Sequence, residues 1–490
     1  MRIKPIYILT AILALAAVYF YQDPQWNGNT RLDALRAVVE QGRFNIDAYQ
    51  SRPDWATGDK VFFNGHYYLD KAPGVTLLAI PFYFVIYKIS TALGIALKAS
   101  LIKHALTTLV IETSFVVNGL AMYQIARLIS PSLWKALVAS LSLSLGTMLW
   151  PYSAVFYGHV PAAMFLCIAF YLLFMMSKAP EKIAFGRFFW AGLCMGFAFI
   201  TDYTTASIIA GLMLYAIYIL RKQNIFSIIR YGIGGALGAL IPLLLLSMWN
   251  FLNFGNPIIL GYSYYSTNQK PSLGLLYGLF FQNPNLSALY HLTFDPQFGL
   301  FWQSPVLLLA LVGCFIAVKT KSHRAEILVF VYAVAITLLM NSGIDIWWSG
   351  HAFGPRYLIA ALPFFTIPLM LIPDSFILGM GILGVISAAQ MLIPLLGQVQ
   401  IVIDWIASRN QFWVENKPFT GFSVLWQYGL PLIFKSIRND TPSWTLGYAI
   451  RFIPYRLYLS LPILAGVEAF LIGLFHKQTK MESLQAARNA

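Results

Sequence analysis

Long apolar runs recur along most of this chain, as in residues 6–21, 240–249 and 376–396. A bilayer core about 30 Å thick needs about 20 apolar residues for each helix that crosses it. The composition agrees, because 58% of the residues are hydrophobic and 11% are charged, whereas about a quarter are charged in a typical soluble domain. The runs are continuous rather than alternating, which excludes a transmembrane β-barrel. The sequence therefore predicts an all-α polytopic membrane protein.

The topology follows from the apolar segments and from the basic stretches between them. The predicted segments are 5–21, 75–93, 104–126, 134–150, 160–177, 188–202, 204–220, 231–250, 299–318, 325–341, 357–372, 376–395 and 456–475. The stretches that the positive-inside rule assigns to the cytoplasm are 1–4, 178–187, 221–230, 319–324 and 476–480. The segments left outside are 22–74, 251–298, 342–356 and 396–455. Both termini then lie inside, so the number of crossings is even, and one predicted segment between residues 75 and 150 does not span. We expect 12–13 transmembrane helices.

Three regions are predicted along the chain. Residues 1–395 form a transmembrane core, residues 396–455 an aromatic-rich outer segment, and residues 456–490 a last transmembrane helix with a cytoplasmic tail. The net charge of +14 is explained by the cytoplasmic loops, so we expect no nucleic-acid partner. The three cysteines lie within apolar runs and are interpreted as packing residues rather than as a disulfide or metal framework.

Carboxylates concentrate in the first outer loop, residues 22–74. Seven of the 19 acidic residues lie there, interleaved with six basic ones; the seven are Asp23, Asp33, Glu40, Asp47, Asp54, Asp59 and Asp70. Residues 29–42 predict a short amphipathic helix on the membrane surface, with Thr30 as its cap and Gly42 at its end. Asp33 on this helix has two interpretations, a capping residue paired with Arg36 or a general base held at the interface.

Residues 57–74, TGDKVFFNGHYYLDKAPG, are the most polar stretch between two apolar ones. The pattern FFNGHYY predicts a hairpin with Asn64 and Gly65 at its turn. Asp70 and Lys71 follow, where the chain approaches the bilayer through residues 72–74. A rigid entry that carries both signs of charge suits an anionic headgroup, although an ordinary polar turn with a surface ion pair explains the same residues.

Three stretches resemble the C-type glycosyltransferases, most closely the group of protein O-mannosyltransferases and lipid A aminoarabinose transferases. The stretch NGHYYLDKAPGVTLLAIP (64–81) is similar to that family's G-x-x-Y-x-x-K-P-P-L element, with Lys71 at the matching lysine and Ala-Pro-Gly in place of Pro-Pro-Leu. Family-like outer loops are YSAVFYGHVPAAMF (152–165) and WWSGHAFGPRYLIAALPF (347–364). The resemblance extends over about residues 5–375. It departs at residues 27–30, where the family has a carboxylate pair and this chain has none.

The resemblance implies a C-type glycosyltransferase fold and transfer of a sugar, hexose or pentose, from a polyprenyl-phosphate donor to a lipid, glycan or protein acceptor, with inversion. It also implies an enzyme of the cytoplasmic membrane, in bacteria the inner membrane of the cell envelope, acting on the extracytoplasmic face among membrane lipids. The candidate bases are Asp33, Asp59 and Asp70. The candidate substrate-binding residues are His66, Tyr68, Lys71, His159, His351 and Arg356.

The alternatives for these residues stay open at this stage. Arg356 is also explained as a snorkelling arginine, and His159 and His351 as hydrogen-bonded structural residues. Some relatives use a divalent metal; Asp33, Asp59 and Asp70 are the residues available to hold one, but their spacing is no metal signature. Rival functions are a flippase or transporter of a lipid-linked or polar solute, which would show repeats and broken helices, and an outer-face polymer ligase.

Overall fold

The protein is described here by a computed structural model covering residues 4–20, 22–264, 283–296, 298–344, 347–349, 353–397, 434 and 461–489. Within these residues it is a helical bundle with one short β-hairpin. Each of the thirteen predicted apolar segments overlaps helix among the described residues, the last of them from Leu461 onward. His351 and most of residues 396–455 lie outside the described residues.

The first half of the chain supplies most of the long helices. Its α-helices are α1 (Pro5–Val18), α2 (Gln25–Arg36), α3 (Gly74–Ala92), α4 (Ala99–Leu106), α5 (Thr113–Ile129), α6 (Leu133–Ser144), α7 (Leu149–Ser153), α8 (His159–Lys178), α9 (Phe185–Thr201), α10 (Ala206–Leu220) and α11 (Ile225–Phe254). Its other elements are strands β1 (Val61–Phe63) and β2 (His66–Tyr68), π-helical turns Ala37–Gln41 and Thr107–Glu112, and 3₁₀ turns Pro180–Lys182, Tyr203–Thr205 and Gly261–Tyr264.

The second half contains shorter and more interrupted helices. Its α-helices are α12 (Leu286–Thr293), α13 (Leu300–Gln303), α14 (Leu308–Thr320), α15 (Arg324–Gly343), α16 (Leu362–Thr366), α17 (Ile377–Gly397) and α18 (Leu461–Asn489). Its 3₁₀ turns are Pro305–Leu307, Arg356–Ala361, Ile367–Leu371 and Asp374–Phe376. Among the described residues, seven helices are long and apolar enough to cross a membrane and five shorter ones are apolar.

Helix α3 is apolar enough to span, yet α3 and the next helix both begin on one side of the bundle. We call this side the loop face, the side on which residues 22–74 lie. Gly74 packs against Thr201 at the end of α9. The next helix, α4, begins at the loop face, because Lys103 Nζ lies 3.1 Å from Asp23 Oδ2 just beyond α1. Farther along the same helix, Gly119 meets Leu13, so α4 and α5 run antiparallel to α1.

A non-spanning α3 explains the uneven count of apolar segments. Twelve predicted segments are then left to cross the membrane, which is an even number. At the other end of the chain, Phe475 of α18 packs against Tyr123 and Trp134, near the end of α5 and the start of α6. The first and last helices therefore both reach the face opposite the loop face.

The first loop forms the predicted helix and hairpin, but the helix differs in its start and its surroundings. It begins at Gln25, whose amide donates to Asp23 Oδ1 (3.0 Å), and not at Thr30, which lies inside it. It ends at Gly42, as predicted, with a left-handed φ of 64°.

The same helix is buried rather than lying on the membrane surface. Its residues from Asn27 to Leu35 are buried because the following chain folds over them. Asn29 Nδ2 donates to the Ala56 carbonyl (3.0 Å), and Thr57 Oγ1 donates to the Trp26 carbonyl (2.8 Å). The predicted surface helix is therefore wrong in its exposure.

The hairpin is confirmed in its register. Phe63 pairs with His66, leaving Asn64 and Gly65 as the two turn residues. Both have positive φ, 47° and 84°, as a two-residue turn of this kind requires. The turn thus brings Asp59 and Lys71, on either side of the hairpin, back to one place.

The position of α3 can be tested by labelling. In a chain whose three cysteines are replaced by alanine, we expect Ser51→Cys and Ala96→Cys to react with a membrane-impermeant maleimide from the same side, because α3 does not separate them. Lys222→Cys, in the connection between α10 and α11, is the control and should react only from the opposite side. Labelling of Ala96→Cys together with Lys222→Cys would show that α3 spans.

Candidate anion pocket

A pocket of about 140 Å³ opens on the loop face, where the ends of several helices meet. The first loop contributes one wall, the α9–α10 connection a second, and residues after α11 and before α16 the rest. Its lining residues are Asn27, Arg31, Lys71, Ala72, Gly158, His159, Thr201, Asp202, Tyr203, Thr204, Tyr262, Ile344, Arg356 and Tyr357. Three of these are fixed cations and one is a carboxylate, so the lining favours an anion.

Glycines allow the first loop and α8 to reach the end of α9. A Cβ on Gly74 would overlap Thr201 Oγ1 and would lie 2.7 Å from the Ile200 carbonyl oxygen. A Cβ on Gly158 would lie 2.5 Å from the Thr201 carbonyl oxygen. Thr76, in the first turn of α3, donates to the Arg31 carbonyl (3.2 Å) and so ties α3 to α2. Close backbone packing therefore sets the size of the pocket.

Lys71 is held between two carboxylates at the edge of the pocket. Its Nζ lies 2.7 Å from Asp70 Oδ2 and 3.2 Å from Asp59 Oδ2. Burial lowers the pKa of Lys71, but attraction to Asp70, Tyr262 and Asp59 outweighs burial and leaves that pKa above its usual value. Lys71 is therefore a cation at every physiological pH and cannot act as a base. Asp70 is fully buried, whereas the Asp59 side chain is 22% exposed.

Two arginines complete the positive lining. Arg31 is buried, and its Nη1 donates to the Asn27 carbonyl (2.6 Å). The guanidinium carbon of Arg356 lies 5.5 Å from the ring centroids of both Tyr157 and Tyr357. Within the described residues, neither arginine has a carboxylate at ion-pair distance, and the Nε of each lacks a hydrogen-bond partner. Burial lowers the pKa of Arg31, so its charge carries an energetic cost that an anion in the pocket would offset.

His159 and Asp202 form a hydrogen-bonded pair on the opposite wall. The His159 Nδ1 and Asp202 Oδ2 atoms are 2.8 Å apart. Asp202 also accepts from the Thr204 amide (3.1 Å) and hydroxyl (2.7 Å), which fixes its orientation. Burial raises the pKa of Asp202, but the bonds from His159 and Thr204 outweigh it and hold that pKa below its usual range. The carboxylate is thus charged, and it orients the imidazole.

The structure brings five of the sequence-predicted site residues together. Lys71, His159 and Arg356 line the pocket, while Asp59 and Asp70 contact Lys71. His66 lies away from the pocket, where its half-exposed ring pairs with Asp47 (2.6 Å) at the hairpin. Tyr68 also lies outside the pocket and packs against Phe254, with ring centroids 5.6 Å apart.

Asp33 is fully buried on a different side of α2. Neither of its carboxylate oxygens has a hydrogen-bond partner within the described part of the chain. Burial raises the pKa of Asp33 to about 8, and attraction to Arg36 and Lys103 only partly opposes that shift. About two turns farther along the chain, Glu40 pairs with Arg36 (2.7 Å) and accepts hydrogen bonds from Tyr49 and Tyr83. Asp33 therefore belongs to a second polar cluster and not to the pocket.

Three pocket residues are not recognisable as ligands from the sequence alone. In the sequence, Arg31 is one of the interleaved basic residues of the first loop and does not stand out as a ligand. Its spacing from Asp33 nevertheless places the two side chains on different faces of one helix. Asp202 caps the turn that begins at Tyr203, and its second oxygen also contacts His159. Tyr262 lies in an aromatic stretch that is also typical of an interfacial belt.

The carboxylates do not form a metal site. Among the described residues, no group of three or more His, Cys, Asp or Glu side chains is placed to hold a metal ion. Asp33 is separated from Asp59 and Asp70, which are themselves neutralised by Lys71. The arrangement of these carboxylates does not fit a divalent cation, and the proposed sugar transfer does not use one.

Comparison with solved structures shows a likeness of fold. The chain resembles the crystal structure of ArnT from Cupriavidus metallidurans bound to undecaprenyl phosphate, with a TM-score of 0.52 and 14% sequence identity, over 97% of this chain and 75% of that chain. ArnT is a lipid A aminoarabinose transferase with the C-type glycosyltransferase fold. The predicted fold class is thereby confirmed, and at this identity the likeness concerns the fold. No protein-family model and no curated protein sequence matches the chain.

The burial of Asp33 has a consequence for stability. Because its pKa is raised to about 8 in the folded chain, the folded state retains a proton that the unfolded chain releases near pH 4. Stability therefore falls as pH rises between about pH 4 and about pH 8. We expect Asp33→Asn to remove this part of the pH dependence of Tm. Asp54→Asn, at an exposed position, is the control, and equal pH slopes for the wild type and Asp33→Asn would contradict the assignment.

Proposed function

We propose that this protein transfers a sugar from a polyprenyl-phosphate donor to an acceptor hydroxyl or amine at the loop face. The observation that carries the proposal is the convergence of Arg31, Lys71 and Arg356 on one pocket. They come from α2, from the entry to α3 and from the turn before α16, so local sequence does not account for their meeting. A fold shared with a structure that holds undecaprenyl phosphate supports the same assignment.

The donor phosphate binds among the three cations. Arg31 and Arg356 present buried N–H groups that lack protein partners in the described residues, and a phosphate oxygen would satisfy them. Lys71 adds a point charge that Asp59 and Asp70 hold in place. In the reaction the bond between the anomeric carbon and the phosphate oxygen breaks, and the electron pair leaves with the polyprenyl phosphate. The cations stabilise the charge that develops there.

Asp59 is the general base in this scheme. It is partly exposed and lies beside Lys71, whereas Asp70 is fully buried and Asp33 lies on another side of α2. Its carboxylate takes the acceptor proton as the acceptor atom forms its bond to the anomeric carbon. Attack opposite the leaving phosphate inverts that carbon. His159, oriented by Asp202, hydrogen-bonds the phosphate or the sugar from the other wall.

The identity of the sugar, the class of the acceptor and the location in the cytoplasmic membrane all belong to the proposal. A lipid, glycan or protein acceptor on the extracytoplasmic side of the cytoplasmic membrane agrees with the positive-inside prediction for the loop face. The purified chain in liposomes, given labelled polyprenyl-phosphate sugars and envelope extracts, tests this scheme. Label that moves to an acceptor supports the transferase, and label that only crosses the bilayer supports the carrier.

Loss of one pocket arginine should weaken donor binding. We expect Arg31→Gln and Arg356→Gln each to raise the Kd for a polyprenyl phosphate by about tenfold or more, since a charge-assisted hydrogen bond contributes roughly 1.5–3 kcal/mol. Titration in nanodiscs measures this. Arg43→Gln, at an exposed position of the same loop, is the matched control, and a Kd that rises equally in all three variants would argue against a specific anion pocket.

Removal of the base should affect turnover rather than donor binding. We expect Asp59→Asn to lower kcat by about 100-fold or more, with the Kd for the polyprenyl phosphate changed much less. Asp54→Asn changes the same side chain five residues earlier at an exposed position and should keep full turnover. If Asp59→Asn transfers at the wild-type rate while Asp70→Asn or Asp33→Asn does not, the base is another of the three carboxylates.

A further inference from the structure

A small polar cavity of about 10 Å³ lies between α10 and α15 at the loop face. It is lined by Thr204, Ser207, Thr337, Met340, Asn341 and Ile344. Thr204 and Ile344 also line the anion pocket, so the two spaces adjoin, and we call the smaller one the side chamber. A space of this volume holds about one water-sized group. The side chamber therefore offers the contents of the anion pocket one further, narrow polar contact.

The polar side chains of the side chamber do not bond α10 to α15. On α10, Ser207 Oγ donates to the Thr204 carbonyl (3.1 Å) in the turn just before the helix. On α15, Thr337 Oγ1 donates to the Ala333 carbonyl (2.7 Å), and Asn341 Nδ2 donates to the Thr337 carbonyl (2.8 Å). Polar side chains between membrane helices commonly bond to the neighbouring helix, and in the described part of the chain these three do not. Helix packing alone therefore does not account for their facing one another.

The hydroxyl groups of the side chamber are left with lone pairs only. A hydroxyl carries one hydrogen and two lone pairs. Thr204 Oγ1 donates its hydrogen to Asp202 Oδ1 (2.7 Å), and Ser207 and Thr337 donate theirs to backbone carbonyls. Buried Asn341 adds a carbonyl oxygen and a second N–H. A group with a hydrogen to donate satisfies this lining, whereas a fluorine atom or a methyl group leaves it without a partner.

We infer that the side chamber receives one hydroxyl group of the donor sugar and thereby selects sugars with a free hydroxyl at that position. The inference rests on the proposed function, in which the phosphate of the same donor occupies the adjoining anion pocket. Thr204 connects the two spaces, because it lines both and also holds Asp202, the partner of His159.

Size and hydrogen bonding together define what the side chamber rejects. An acetamido group is larger than the water-sized space and does not fit it. A fluorine atom fits but cannot donate. A site that hydrogen-bonds a substrate hydroxyl discriminates strongly against an analogue that lacks it, because the buried polar groups of the site then lose their partner.

The donor sugar can be varied one hydroxyl at a time. The probes are undecaprenyl phosphate alone and undecaprenyl phosphate carrying mannose, glucose, galactose or xylose, titrated in nanodiscs. The glycosylated lipid that the wild type binds most tightly is then compared with its monodeoxyfluoro forms, one for each free hydroxyl. We expect fluorine at one position to raise the Kd by about tenfold. An acetamido group at that same position should raise the Kd further, because it does not fit.

Variants of the side chamber show whether this loss arises there. Thr337→Val and Asn341→Leu nearly keep the side-chain shape and remove acceptors. In each we expect the fluorinated and parent lipids to bind within about twofold of one another, since the two changes remove the same interaction. The Kd for undecaprenyl phosphate alone should stay at the wild-type value. Thr10→Val on α1 is the matched control, because its hydroxyl makes the same kind of bond, to the Ile6 carbonyl (2.8 Å), away from both spaces; it should keep the tenfold difference.

The outcomes separate the side chamber from the anion pocket. A tenfold loss that persists in both Thr337→Val and Asn341→Leu, with Tm showing that they fold, would overturn the hydroxyl site and leave the chamber to water. Equal binding of all fluorinated forms by the wild type, or no binding of any glycosylated lipid, would overturn it as well, while binding of undecaprenyl phosphate keeps the anion pocket in place. Failure of the wild type to bind undecaprenyl phosphate would overturn the donor pocket and the side chamber together.

Discussion

Close backbone packing at the end of α9 is the constraint on which the site depends. Gly74 and Gly158 both approach Thr201 so nearly that a side chain on either would overlap it. This packing fixes the entry to α3 against the start of α8, and so fixes Lys71 relative to His159. A residue larger than glycine at either position would push the two walls of the pocket apart, even though it replaces no charged group.

Charge balance distinguishes the pocket from its surroundings. Near the first loop, the pairs Arg36–Glu40 and Lys103–Asp23 each join a cation to a carboxylate. In the pocket, Asp59 and Asp70 neutralise Lys71, while Arg31 and Arg356 have no carboxylate at ion-pair distance within the described chain. Buried guanidinium groups without counterions are costly unless a ligand supplies the charge. An anion bound in the pocket would offset this cost for Arg31.

The sequence predicted the fold class and the hairpin because each depends on a local pattern. Continuous apolar runs identify membrane helices, and Asn64-Gly65 identifies a two-residue turn. It did not predict the burial of α2, because the residues that cover Asn29 are 27 positions away. It also could not choose between Asp33, Asp59 and Asp70, since that choice depends on which face of a buried helix meets Lys71. The sequence marks α3 as exceptional only through the uneven count of apolar segments, because the helix is as apolar as a membrane span.

The course of α3 also bears on how the chain enters the membrane. Helix α3 is as apolar as a membrane span, yet α3 and α4 both begin on the loop face. Helices α4 and α5 pack antiparallel to α1, and the Lys103–Asp23 ion pair holds the start of α4 near the end of α1. The course of the chain around α3 is thus set by tertiary contacts of the following helices and not by hydropathy alone.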